Sequence, residues 1–305
     1  MYRGDFTSFW GRKYFNASFV NIYVFGIGCC VIVLYFRVFR FETAPQTRGD
    51  LPAFNYDGQA SEATNLVIVA GHAVLNFAAD MKRAAFSDES WHLLDYQRKS
   101  GLPEAILSHI EAGVKLAEND PSALLVLSGG ETRRDVGPMS EGASYYALAD
   151  ILSMWGDNDA RARTVTEEYA TDSFQNLLFS ICRFREVTNS YPQHITVVSF
   201  SFKRQRFEQL HAKALRWPMS TFAFVGVDPP TSSGFDVAKS SRGEQENAVR
   251  QFESDLYGCY SENLLNKRRL RNPFFRSHNY AESCPEVSLL LSYCGGEIFS
   301  GELPW

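Results

Sequence analysis

From about residue 65 the chain alternates short apolar runs with stretches whose apolar residues recur every three or four positions. Leu66–Ala70, Leu124–Leu127, Thr164–Thr166, Ile195–Phe200 and Thr221–Val225 are short, β-branched or apolar runs. Such runs predict strands buried on both faces. Helical spacing lies between and after them. It is carried by Ile106, Ile110, Val114 and Leu116, then by Ala143, Tyr146, Leu148, Ile151 and Leu152. Phe174, Leu177, Leu178 and Ile181 form a third stripe, and Phe207, Leu210, Ala214 and Trp217 a fourth. Alternating strands and helices predict an α/β domain, a mostly parallel sheet with helices on both faces. No internal repeat is visible.

The first forty residues follow a different pattern. No charge occurs from Tyr14 to Phe36, while Arg12 and Lys13 flank one end and Arg37 and Arg40 the other. As a helix this stretch is roughly 34 Å long, enough for a hydrocarbon core of about 30 Å. It exceeds the apolar core of a signal peptide, and no small-residue cleavage site follows. The expectation is one transmembrane anchor at 14–38, after a short tail at 1–13. Residues 39–64, with Pro45, Gly49, Pro52 and Gly58, read as a linker. The α/β domain then occupies 65–305, with an insert near 80–102 and a C-terminal extension over 240–305. Basic residues are balanced across the span, three before and three after, so orientation is left open.

Composition narrows the function classes. The 305 residues are 45% hydrophobic and carry a net charge of −5, which disfavours a nucleic-acid partner. Six cysteines are too few for a disulfide-built scaffold, although one pair among Cys259, Cys284 and Cys294 suits an oxidising compartment. No Cys/His spacing fits a metal site, and there is no Walker A loop, G-x-G-x-x-G or G-x-S-x-G motif. His211, one turn from Phe207, and Cys182 both read as core residues.

Ligands of such sheets sit outside the strand carboxyl ends. The residues expected there are Gly71-His72, Ser128-Gly129-Gly130, Glu167-Glu168, Ser199 and Gly226-Val227-Asp228. Gly129 and Gly130 can bring backbone N–H groups to an anion, and they equally suit a plain turn. Ser140 suits a helix cap with Glu141 at the positive end of the dipole. Asn176 falls one turn into the next helix, on the crevice side. Lys203, Arg204 and Arg206 crowd a helix start, where an anionic ligand would relieve their conflict with the dipole.

The ordered set Leu127-Ser128-Gly129-Gly130, Ser140-Glu141-Gly142-Ala143, Glu168 to Asn176 and Val198 to Arg206 resembles the YdcF/SanA/ElyC-like domain-of-unknown-function family (DUF 218). The resemblance covers about residues 65–230. It implies a Rossmann-like three-layer α/β/α domain with its pocket at the strand carboxyl ends. It also implies an association with envelope integrity and, for anchored members, a domain outside the cytoplasm. The expectation here is an endomembrane protein (Golgi or ER) with a lumenal domain. Thr171 stands where the family often has Ser, Gln175 replaces the usual Glu, and Lys203 replaces the usual His, while Arg206 is kept. A Lys in place of a general base needs a depressed pKa.

Two functions follow. One is an enzyme with Glu168 and Glu141 as acid/base candidates. Gly71, His72, Ser128, Gly129, Gly130, Asn176, Ser199, Lys203 and Arg206 would hold a small anionic or nucleotide-like ligand. The other is a non-catalytic sensor or scaffold using the same pocket. The cofactor is unknown, and residues 14–38 have the lipid bilayer as their partner. Alkaline carbonate should leave the full chain in the membrane fraction and detergent should release it; extraction by carbonate alone would refute the anchor.

Overall fold

The structure, a computed structural model, describes residues 60–76, 81–156 and 159–305. The expected anchor at 14–38 lies outside the described residues. Among the described residues no helix is long and apolar enough to cross a membrane.

Five parallel strands form the centre: β1 (Asn65–Ala70), β2 (Ala123–Ser128), β3 (Thr164–Glu167), β4 (His194–Ser199) and β5 (Phe222–Gly226). Their spatial order is β3-β2-β1-β4-β5, with Val69 opposite both Leu127 and Val198. The expected α/β sheet is therefore present. The ends differ from the expected ones by a residue: β4 stops at Ser199, for example, and Phe200 leaves the ladder to stack with Phe202 and Phe235.

Strand residues point alternately to the two layers. Val67, Val69, Leu125, Leu127 and Val198 pack under α1 (Leu102–Asn119) and α2 (Glu141–Ile151). Leu66, Ile68, Leu124, Val126, Ile195 and Val197 pack on the other face, under α3 (Ser173–Thr188) and the helical segments Arg206–His211 and Ala212–Ala214. Each fully buried side chain of this size contributes roughly 1.5–3 kcal/mol. His211 and Cys182 are in this second core, fully buried, as their spacing predicts. The caps also form: Ser140 Oγ accepts from the Ala143 N–H at 2.9 Å, and Asp172 from the Gln175 N–H at 2.9 Å.

The insert adds a two-stranded antiparallel ribbon, Val74–Leu75 with Trp91–His92. Trp91 is buried, and its indole donates to the Ala85 carbonyl at 2.9 Å.

The C-terminal extension is part of the core rather than an appendage. Val249, Phe252, Tyr257, Leu264, Tyr280, Leu290 and Phe299 complete the α3-side layer. The Trp305 indole donates to the Leu215 carbonyl at 2.8 Å. Among the three candidate cysteines, Cys259 and Cys294 are bonded, while Cys284 is a buried thiol. This disulfide closes a sequence separation of 35 residues. Its removal by Cys259→Ser should cost about 4 kcal/mol by chain entropy. Denaturant titrations of the variant and of the oxidised parent check this, and equal midpoints would show that the bond is not formed.

Candidate functional site

The chain leaves β1 toward α1 on one face of the sheet. It leaves β4 toward the Arg206 segment on the other. Between neighbouring strands whose connections diverge in this way, a crevice opens at the carboxyl ends. His72 follows β1 and Lys203 follows β4, so both lie at this crevice.

The two side chains touch there. Lys203 Nζ is 3.1 Å from His72 Nδ1 and donates to it, since an ammonium has no acceptor. His72 Nε2 then carries the ring proton and faces Ser199 Oγ at 3.4 Å. Loss of solvent, then Lys203, His109 and Arg206, hold His72 well below the usual histidine range. Lys203 keeps partial exposure but is pushed down to about 7, first by desolvation and then by the Arg206 cation. The Phe200 and Phe202 rings lie 5.2 and 5.9 Å from its ammonium. An amine beside a second cation, with aromatic walls, is poised to exchange a proton near neutrality.

Glu141 closes the opposite side. It is buried at the start of α2, and Oε1 accepts from Thr132 Oγ1 at 2.5 Å. A Cβ on Gly71 would meet Glu141 Oε2 at 2.5 Å, and one on Gly129 at 2.7 Å. These glycines let a carboxylate lie against the β1 and β2 termini, and the Glu141 charge is near enough to raise the Lys203 pKa. Arg206 forms an ion pair with Glu244 at 2.9 Å, between two π-helical segments, Arg206–His211 and Gln245–Val249. Such segments often mark functional positions.

A yeast protein, Uncharacterized protein YOR238W of Saccharomyces cerevisiae, is 32% identical over 236 residues, 64% of this chain and 78% of the yeast chain. The chain belongs to the YOR238W family. No family model matches it, and no solved structure matches it.

Within this member of the YOR238W family, several expected roles are reassigned. The Gly129 and Gly130 N–H groups do not face an anion. They donate to the carbonyls of Glu167 at 2.9 Å and Ala170 at 2.8 Å, because the β2 and β3 exits fold against each other. Glu168 is drawn into bracing the α2 cap. Its Oε2 accepts from Ser140 Oγ at 2.8 Å and its Oε1 from Thr166 Oγ1 at 2.7 Å. Ser128 and Asn176 come together, but around Glu167 and away from the Lys203 contact. Ser128 Oγ is 2.8 Å from Glu167 Oε2 and 3.0 Å from Asn176 Oδ1. A hydroxyl has one proton, so both bonds are satisfied when Glu167 supplies the other.

The sequence places Glu167 at the carboxyl edge but gives it no role, since a glutamate ending a strand is usually solvated. Here it is 1% exposed, and burial pushes its pKa up to about 7 despite hydrogen bonds with Tyr169 N–H, Ser128, Ala170 N–H and Tyr280. His109 was also missed, because it shares the apolar stripe of α1. It lies edge-on to His72 at 5.3 Å, donates Nε2–H to the Val227 carbonyl at 2.8 Å, and is pushed down to about 4 by burial.

Glu167 generates a pH prediction. Between about pH 4.5 and 7 the unfolded chain ionises this carboxyl while the folded chain keeps it protonated, so stability falls as pH rises. The loss approaches about 3 kcal/mol above pH 7. Urea titrations at pH 5 and pH 8 should show a smaller decline for Glu167→Gln than for the parent; equal declines would contradict the buried proton.

Proposed function

We propose that the chain is a membrane-anchored protein of the YdcF-like type that binds a small anionic or nucleotide-like ligand. The ligand occupies the crevice between β1 and β4, and the protein acts on it by proton transfer. The Lys203–His72 contact at the diverging strand exits carries this reading. Its support is chemical. After burial, the Arg206 and Arg271 cations lower the Lys203 pKa, and an anion would relieve that crowding. A lysine titrating near 7 restores, at the position where the resembled family has His, a base usable at neutral pH. Glu141, across Gly71, is the second acid/base candidate, and the His72 ring, bonded to Lys203 and facing Ser199, orients the amine. The Cys259–Cys294 bond supports a lumenal, oxidising compartment for the domain.

The second reading, a non-catalytic sensor, is favoured by the Arg206–Glu244 pair, which ties ligand charge to the C-terminal extension. Lys203 separates the two. Competitive acetylation should show Lys203 reacting with a midpoint near pH 7, well below the ordinary lysine range. A nucleotide and sugar-phosphate panel is then screened by thermal shift on the full chain, with turnover measured on every hit. An enzyme gains turnover as pH rises through about 7 and loses it in Lys203→Arg, which still binds. A sensor instead loses affinity over that interval as the ammonium deprotonates. A Lys203 midpoint above 10, or hits unaffected by Lys203→Arg and by pH, would overturn both.

A further inference from the structure

We propose a second ligand site, for a phosphomonoester group, in the cavity between the loop after β3 and the turn after α5 (Glu262–Leu270; α4 being Val237–Glu244). The cavity encloses about 450 Å³ and is separate from the Lys203–His72 contact, none of whose residues line it. Arg268, Arg269 and Arg276 line it, and no carboxylate does.

Two of these guanidiniums are fixed from outside the cavity. Arg268 pairs with Asp172 at 2.6 Å, and Arg276 pairs with the buried Glu131. Arg276 also lies over the Tyr169 ring, 5.1 Å from its centroid. Arg269 is exposed and bonds the neutral amide of Asn266, so its charge is not compensated by a paired acid. Residues 267–276 contain five basic residues and no acid. Rigid guanidiniums are the groups best matched to phosphoryl oxygens.

The mouth adds an apolar element. Phe275 lies at the cavity with φ of 55° and its ring 85% exposed. A bulky residue rarely adopts this left-handed conformation. Asn272 enforces it: its side chain accepts from the Arg276 N–H at 2.8 Å and donates to the Arg276 carbonyl at 2.9 Å. Leu270 is 78% exposed as well. A phosphate-seeking cavity rimmed by a held, exposed ring suits either a phosphorylated lipid headgroup or a soluble phosphate ester.

The test titrates the full chain, in neutral detergent, with inorganic phosphate, dihexanoyl phosphatidate and dihexanoyl phosphatidylcholine, read by calorimetry. At least one phosphate monoanion or dianion probe should bind saturably, with the choline lipid at least about tenfold weaker. Arg269→Glu should weaken that binding at least about tenfold, while the exposed control Lys115→Glu leaves it unchanged. Phe275→Gly suits the positive φ and keeps the fold. Selective loss of phosphatidate affinity in it identifies the lipid source, and unchanged affinities identify the soluble one. Absence of saturable binding, or equal binding by Arg269→Glu and Lys115→Glu, overturns the site.

Discussion

A parallel sheet covered by helices on both faces has no room for unpaired charge between its layers. In this chain Val67, Ile68, Val69, Leu125, Val126 and Val198 fill those layers and are buried. Functional polar groups are thereby confined to the strand ends. Among the ends, the carboxyl edge between β1 and β4 is the place where the connections diverge to opposite faces of the sheet. His72, Ser199 and Lys203 meet there because the strand register brings their backbones side by side, not because they are near in sequence.

The C-terminal extension reshapes that edge. It supplies Glu244 to Arg206, Arg268 to Asp172 and Arg276 to Glu131. Arg271 donates to the Thr171 carbonyl at 3.1 Å, and the Tyr280 hydroxyl reaches Glu167 at 3.3 Å. Buried ion pairs contribute little net stability against desolvation, but breaking one leaves a costly unpaired charge. Their role here is positional.

The site also shows how a weakly acidic protein overall can present a locally cationic surface. The net charge is −5, yet Lys203, Arg206, Lys267 and Arg271 share one neighbourhood. Coulomb repulsion at such range costs more in a partly desolvated crevice than in water. Glu244 and Glu141 offset part of that cost at Lys203, and Glu244 and Asp172 at Lys267. Burial first, and then this crowding, bring the Lys203 pKa down to about 7.

The pattern of apolar residues determined the α/β class and all five central strands to within about a residue, because strands buried on both faces read as short apolar runs while helices buried on one face space their apolar side chains three or four apart. Local chemistry was equally legible. Ser140 and Asp172 cap their helices as residue type predicts, and His211 is buried as its stripe predicts. Partnerships across the chain were not legible. Glu167 rather than Glu168 takes the buried position, because strand alternation and the Tyr280 lid, 113 residues away, decide which carboxylate turns inward. Gly129 and Gly130 give their N–H groups to a neighbouring loop that adjacency in sequence does not reveal. The pairing of Cys259 with Cys294, the contact of Lys203 with His72, and the arginine cavity all depend on distances between segments far apart in the chain. Tertiary packing alone sets those distances, and with them which charges are desolvated and which protons can move.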